Sequence, residues 1–199
     1  MKERSPAVER VCIAALSRFA KFGYEGTSLS HIADDIGIRK ASLYTHFSSK
    51  DALFKEVFSD ALAIENAFVT ECFALENGRT QPGFKYCSDL AQRYRESDHM
   101  RLLVRVGYLP PAHLFDEINE TATDYLSVIS DCYTHALRRW AASRGTLPEN
   151  DVAMFTQAYM GIVDGLHVKL VYTNGEELTV RLNALWRVLT DSLRLSGME

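Results

Sequence analysis

The chain has 199 residues, a formal net charge of −4 and a hydrophobic share of 47%, ordinary values for a protein with a real core. Its 11 glycines and 5 prolines exclude collagen-like and proline-rich architectures, and no apolar run reaches the roughly 18 residues of a membrane span. Taken whole, the acidic balance argues against a general nucleic-acid binder.

The charge is unevenly placed. Residues 1–50 hold eight Lys or Arg and five Asp or Glu, a balance of +3, and the remaining 149 residues hold 14 and 21, a balance of −7. A basic head on an acidic body suggests two duties in one chain. Cys12, Cys72, Cys87 and Cys132 are far apart, with no Cys-x-x-Cys pair and no histidine at metal spacing. Reduced thiols, no metal and no cofactor are expected. No long apolar stretch follows the first six residues, so a cytoplasmic location is expected rather than secretion.

The first helix is predicted to start at Ser5-Pro6, with Ser5 as cap and Pro6 at the first helical position. Val8, Val11, Cys12, Ala15 and Phe19 make one apolar stripe, and Gly23 ends it. Thr27 is placed as the cap of a second helix with the stripe Leu29, Ile32, Ala33 and Ile36, stopped by Gly37. A third helix is expected over 40–47, with Leu43 and Phe47 inward. Two short helices joined by a glycine turn follow the helix-turn-helix plan, and such short helices need the first one to cover them.

The outer face of the third helix carries Lys40, Ser42, Tyr44, Thr45 and His46, flanked by Arg39 and Lys50. No acidic residue lies between Ile36 and Ser49. These groups suit phosphates and base edges. A solvated face would mix signs, so the gap points to an anionic partner.

The stretch from Phe22 to Val57 resembles the DNA-binding domain of TetR-type (TetR/AcrR) transcriptional regulators. The resemblance rests on Gly23, Thr27, Ile32-Ala33, Gly37-Ile38, Leu43-Tyr44, His46-Phe47, Ser49-Lys50-Asp51 and Leu53-Phe54. It implies that Thr27 and Lys50 contact phosphates, that Lys40, Ala41 and Ser42 face the major groove, and that Tyr44 and His46 touch the backbone. Arg39 stands where the family commonly has a small hydroxyl cap, a departure expected to weaken the helix by about 1 kcal/mol. Tyr44 is alternatively half core, and His46 alternatively a helix C-cap.

After the head, Ser48 and Asp51 have capping-box spacing before a helix of about 25 residues marked by Leu53, Val57, Ala61, Ile64, Phe68 and Cys72. Loop signals at Asn77-Gly78 and Pro82-Gly83 precede helices over 84–97 and 98–108. Pro110-Pro111 breaks the chain, and a long helix through Trp140 ends at Gly145. A helix to about Tyr172, a turn at Asn174-Gly175 and a last helix with Leu178, Leu182, Leu185, Trp186, Leu189 and Leu193 complete it. The fold class is all-α, about nine helices: a head over 1–50 and an effector-binding and dimerisation body over 51–199.

Ala158, Gly161 and Gly165 let helices cross closely. With Leu182, Leu185, Trp186 and Leu189 they resemble the family's dimer interface, which implies a homodimer on a palindromic operator. The alternative is internal core. Tyr94, Arg101, Arg105, Tyr125, Gln157, Asp164 and His167 are the candidate contacts to a small-molecule effector. Asp164 and His167 share a face as an effector anchor, or else as a satisfied interface pair or a solvated edge. Arg101 and Arg105 hold an acidic effector or pair with acids such as Asp98 or Glu96. No catalytic or phosphate-loop motif is present, so an enzyme is not expected. A binding module that keeps the fold without reading DNA is the remaining alternative.

Overall fold

The computed structural model describes residues 4–76, 81–173, 175 and 177–197. Among these the chain is all-helical, with no strand: α1 (Pro6–Phe22), α2 (Leu29–Asp35), α3 (Lys40–Leu43), α4 (Lys50–Ala74), α5 (Phe84–Glu96), α6 (Asp98–Tyr108), a 3-10 turn (Ala112–Leu114), α7 (Phe115–Ala142), α8 (Glu149–Thr173) and α9 (Leu178–Leu195). The loop signal Asn77-Gly78 and the turn residue Asn174 lie outside the described residues. Packing groups the chain into two units, Met1–Glu65 with Arg95–Glu120, and Asn66–Tyr94 with Thr121–Glu199. This division is not the cut at residue 50 drawn from the sequence.

In the first unit, α1 starts as expected: Ser5 Oγ accepts from the Val8 amide, and Pro6 fills the first position. Its stripe buries Val11, Cys12, Ala15 and Phe19, and α2 and α6 pack on it. Phe19 and Tyr24 both meet the ring of Phe54 edge-on, at 5.0 and 5.1 Å. Arg4 is tied to Glu56 at 2.7 Å and to Asp60 on α4.

Three local expectations are corrected. Thr27 does not cap α2. Its hydroxyl donates to the Gly23 carbonyl at 2.9 Å, closing the end of α1, and its side chain is buried. Ser28, in extended backbone, is the cap and accepts from the His31 amide at 3.2 Å. Before α4, Ser49 rather than Ser48 caps, accepting from the Ala52 amide at 3.0 Å. The third helix is shorter than 40–47. Arg39 supplies no side-chain cap, and the regular ladder ends at Leu43. Beyond it the His46 and Phe47 amides both donate to the Leu43 carbonyl, at 3.0 and 2.9 Å.

In the second unit, α8 and α9 pack together. The core is centred on the stacked rings of Tyr133 and Tyr159, 3.9 Å apart and nearly parallel. Gly83, at φ +89°, lies against both rings: a Cβ there would stand 2.5 Å from Tyr159 and 2.9 Å from Tyr133. The Tyr159 hydroxyl donates to the Gly83 carbonyl at 3.1 Å, and the Cys87 thiol donates to the Tyr159 oxygen at 3.6 Å. Burial pushes that thiol up to about 12.

Candidate functional site

α2 and α3 are joined through Gly37, at φ +69°, a backbone region that favours glycine. Leu43 and Phe47 turn inward and are buried. Arg39, Lys40, Ala41, Ser42, Tyr44, Thr45 and His46 are all exposed. Tyr44 is 52% exposed, so it belongs to this surface and not to the core. The Thr45 hydroxyl donates to the Ser42 carbonyl at 2.7 Å, which holds the turn that continues α3. The segment therefore presents hydroxyl, imidazole, phenol and cationic groups from one helical turn and the turn after it. Thr27 is excluded from this surface by its burial.

Lys50 is half-buried at the start of α4, its ammonium 3.7 Å from the centre of the Tyr24 ring. Burial lowers its pKa. The Tyr24 hydroxyl donates to Asp51, and His113 Nε2 lies 3.3 Å from the same carboxylate oxygen. The Tyr24 bond, with help from His113, holds the Asp51 carboxyl below its usual range. Tyr24, Asp51 and His113 thus position Lys50, and the sequence reading missed Tyr24 and His113. Asp51 carried a sequence signal, but as a capping acid.

The candidate effector residues are divided between the two units. Arg101 and Arg105 belong to the first unit: Arg101 pairs with Asp98 and donates to the Arg95 carbonyl at 2.6 Å, and Arg105 lies 3.4 Å from the Lys21 carbonyl. The pairing alternative holds for Arg101. In the second unit Tyr125 and His167 are buried and meet through Tyr86, whose hydroxyl lies 3.0 Å from the Tyr125 hydroxyl and 3.2 Å from His167 Nε2. Burial holds the His167 imidazole down at about 4. Tyr94 is also buried. Gln157 is exposed. Asp164 is exposed while His167 is buried, so the two do not share a face. A step of three residues turns a helix by about 60° from alignment, and the edge of the buried face falls between them.

On α8, Ala158 and Gly161 are exposed, and a Cβ at Gly161 would meet nothing within 4 Å. Gly165 is half-buried near the Arg181 side chain. An apolar groove of about 210 Å³ runs between α8 and α9, lined by Met154, Phe155, Ala158, Ile162, Leu185, Val188, Leu189 and Ser192. Val188 is 69% exposed and Leu185 37%. Leu182 and Leu189 are buried within their own unit. Trp186 meets Phe84 edge-on at 5.1 Å, because its position on α9 turns it toward the start of α5. Leu182 and Trp186 pack within the chain, while Leu189 packs within it and also lines the groove.

Among the described residues, no group of three or more His, Cys, Asp or Glu could hold a metal ion, and no helix is long and apolar enough to cross a membrane.

Residues 13–57 match the family described as bacterial regulatory proteins, tetR family. The chain is 30% identical over 132 residues to IcaR of Staphylococcus epidermidis, a negative transcriptional regulator of the biofilm operon icaADBC, covering 59% of this chain and 66% of IcaR. It spans between about a quarter and 66% of the length of the curated relatives it matches. Among solved structures, the fatty acid degradation regulator FadR from Bacillus halodurans superposes with a TM-score of 0.70 at 18% identity, covering 94% of this chain and 96% of that one. FadR from Bacillus subtilis, in complex with stearoyl-CoA, gives 0.63 at 18% identity, with 91% and 96% covered.

Proposed function

Because the chain belongs to the tetR family of bacterial regulatory proteins, we propose that it is a sequence-specific DNA-binding regulator, a repressor released from its operator by a small-molecule effector. One observation carries the reading. The exposed turn from Arg39 to His46 has cationic and hydrogen-bonding groups with no acid among them. It lies inside the stretch matched to the family. Lys40 and Ser42 face bases, and Arg39, Tyr44, Thr45, His46 and Lys50 hold the backbone. Ser28 takes the place given to Thr27, since its oxygen lies at the exposed start of α2.

The division of labour is a head over 1–50 that reads DNA and a body over 51–199 that senses and dimerises. The protein works in the cytoplasm, without metal, cofactor or catalysis. Two copies pair through the α8–α9 groove and set two recognition turns on a palindrome, with half-sites about 34–36 Å apart. The effector favours a state of the dimer that fits this spacing less well and releases DNA by its differential affinity. The Tyr86–Tyr125–His167 cluster supplies the polar part of its site. That IcaR is a negative regulator supports the repressor sign.

The test is a fluorescence-anisotropy titration with the promoter fragment beside the protein's own gene. Tight binding that weakens steeply with salt is expected. Lys40→Ala should cost about 1–3 kcal/mol of operator affinity and little on unrelated DNA. Binding with no sequence preference would instead favour an all-α ligand-binding module.

Gly161→Ala gives a second expected result. Alanine improves helix propensity by about 1 kcal/mol, and its methyl meets nothing in the chain. The folded chain should gain stability, while dimer dissociation at low concentration should rise, because the methyl holds two close-packed helices apart. Sedimentation at graded concentrations checks it, and an unchanged dimer constant would remove α8 from the interface.

A further inference from the structure

A cleft of about 550 Å³ opens in the second unit between the end of α4, the start of α5 and α9. It shares no residue with the Tyr86–Tyr125–His167 cluster. Its apolar wall is Leu75, Phe84 and Trp186. The two rings meet edge-on at 5.1 Å, with Phe84 39% exposed. Such a volume suits a small organic molecule.

The two carboxylates of the cleft are held differently. Lys85 is spent on Asp89, its ammonium 2.7 Å from the carboxylate. Glu76 forms no ion pair among the described residues. Its Oε1 accepts from the Gly83 amide at 2.7 Å, and its Oε2 is buried without a hydrogen-bond partner. A buried carboxylate oxygen lacking a donor is an expensive arrangement unless something supplies one.

We propose that this cleft binds a protonated primary amine carrying an apolar or aromatic tail. The ammonium donates to Glu76, and the tail lies against Phe84 and Trp186, where ring faces also attract the cation. An anion is disfavoured by Glu76, and a neutral alcohol of the same length adds no cation to the distant attraction of Arg139 and Lys85. Burial raises the Glu76 pKa, the direction that a bound ammonium reverses. The proposal is independent of the operator, because it is read on the protein alone.

The chain contains two tryptophans, Trp140 and Trp186, so Trp140→Phe leaves Trp186 as the only indole reporter, inside the cleft. Emission of this variant is followed at pH 7.5 against three matched probes: 4-phenylbutylamine, 4-phenylbutanol and 4-phenylbutyrate. The amine should bind at least tenfold more tightly than the alcohol, and the anion more weakly still. Glu76→Gln, which keeps the Oε1 acceptor for Gly83, should bring the amine to within threefold of the alcohol. Phe84→Ala, at a partly exposed ring, should weaken amine and alcohol alike. Equal binding of the three probes, no Trp186 response, or an amine preference that survives in Glu76→Gln would each overturn the proposal. If Glu76→Gln loses its helical circular dichroism, the probe ranking and Phe84→Ala decide it.

Discussion

Gly83→Ala is expected to lower the unfolding free energy of the protein by about 2–5 kcal/mol. Two effects add. A residue with a Cβ at φ +89° is strained by about 1–2 kcal/mol. The methyl would also stand 2.5 Å from the Tyr159 ring and 2.9 Å from Tyr133, and overpacking costs about 1–3 kcal/mol. Neither ring can step aside, since both are fully buried and stacked on each other. Gly37→Ala is the control: its φ is +69°, but nothing lies within 4 Å of the added methyl. It should show the backbone effect alone. Urea unfolding followed by circular dichroism measures both, and equal losses would mean that the tyrosine stack yields to the methyl. Against a total of about 5–15 kcal/mol for a domain, the Gly83 effect is large.

Acidification supplies the second large effect. His167 is buried and neutral, with a pKa held at about 4 by burial. In the unfolded chain it titrates near about 6.5. Its folded pKa is depressed, so above about pH 6.5 neither state binds the proton and nothing is lost. As the pH falls from 6.5 toward 4, the unfolded chain takes up a proton that the folded chain refuses. Stability drops through that window by a total of about 3 kcal/mol. Asp and Glu residues also contribute to acid loss, so the comparison with His167→Gln isolates the histidine. The loss between pH 7 and pH 4.5 in urea unfolding should be smaller in the variant by about 2–3 kcal/mol. Identical losses would show that water or a local opening hydrates the imidazolium.

Helix number and order were legible because long amphipathic stripes and strong stop signals agree along most of the chain. What escaped was the choice between neighbours. Thr27 and Ser28 both carry a hydroxyl, and so do Ser48 and Ser49. Only the backbone path decides which one faces the free amides, and the loser in the first pair is drawn inward to the Gly23 carbonyl. Long-range pairing escaped as well. α6 follows α5 in sequence, yet its apolar face, including Leu102 and Val106, packs in the unit that holds α1. That contact places Arg101 and Arg105 in the first unit. The exposed face from Arg39 to His46 was legible because it depends on composition and local period alone. The group that seats Lys50 was not, because Tyr24 and His113 are brought together from segments about 90 residues apart.

The ion pairs of the first unit change what its positive charge means at a distance. Arg4 is cancelled by Glu56 and Asp60, and Arg18 by Asp35 at 2.5 Å. No described ion pair involves Arg39 or Lys40 among the described residues. Arg39 and Lys40 are therefore two adjacent cations of the head that no described acid offsets, on a turn that carries no acid of its own. Within about a Debye length of that turn, its field is stronger than that of the paired faces of the unit. A polyanion turns the molecule before touching it, and collisions on the other faces are short. Lowering the ionic strength would lengthen the reach of that orientation more than it would raise sticking to arbitrary anionic surfaces.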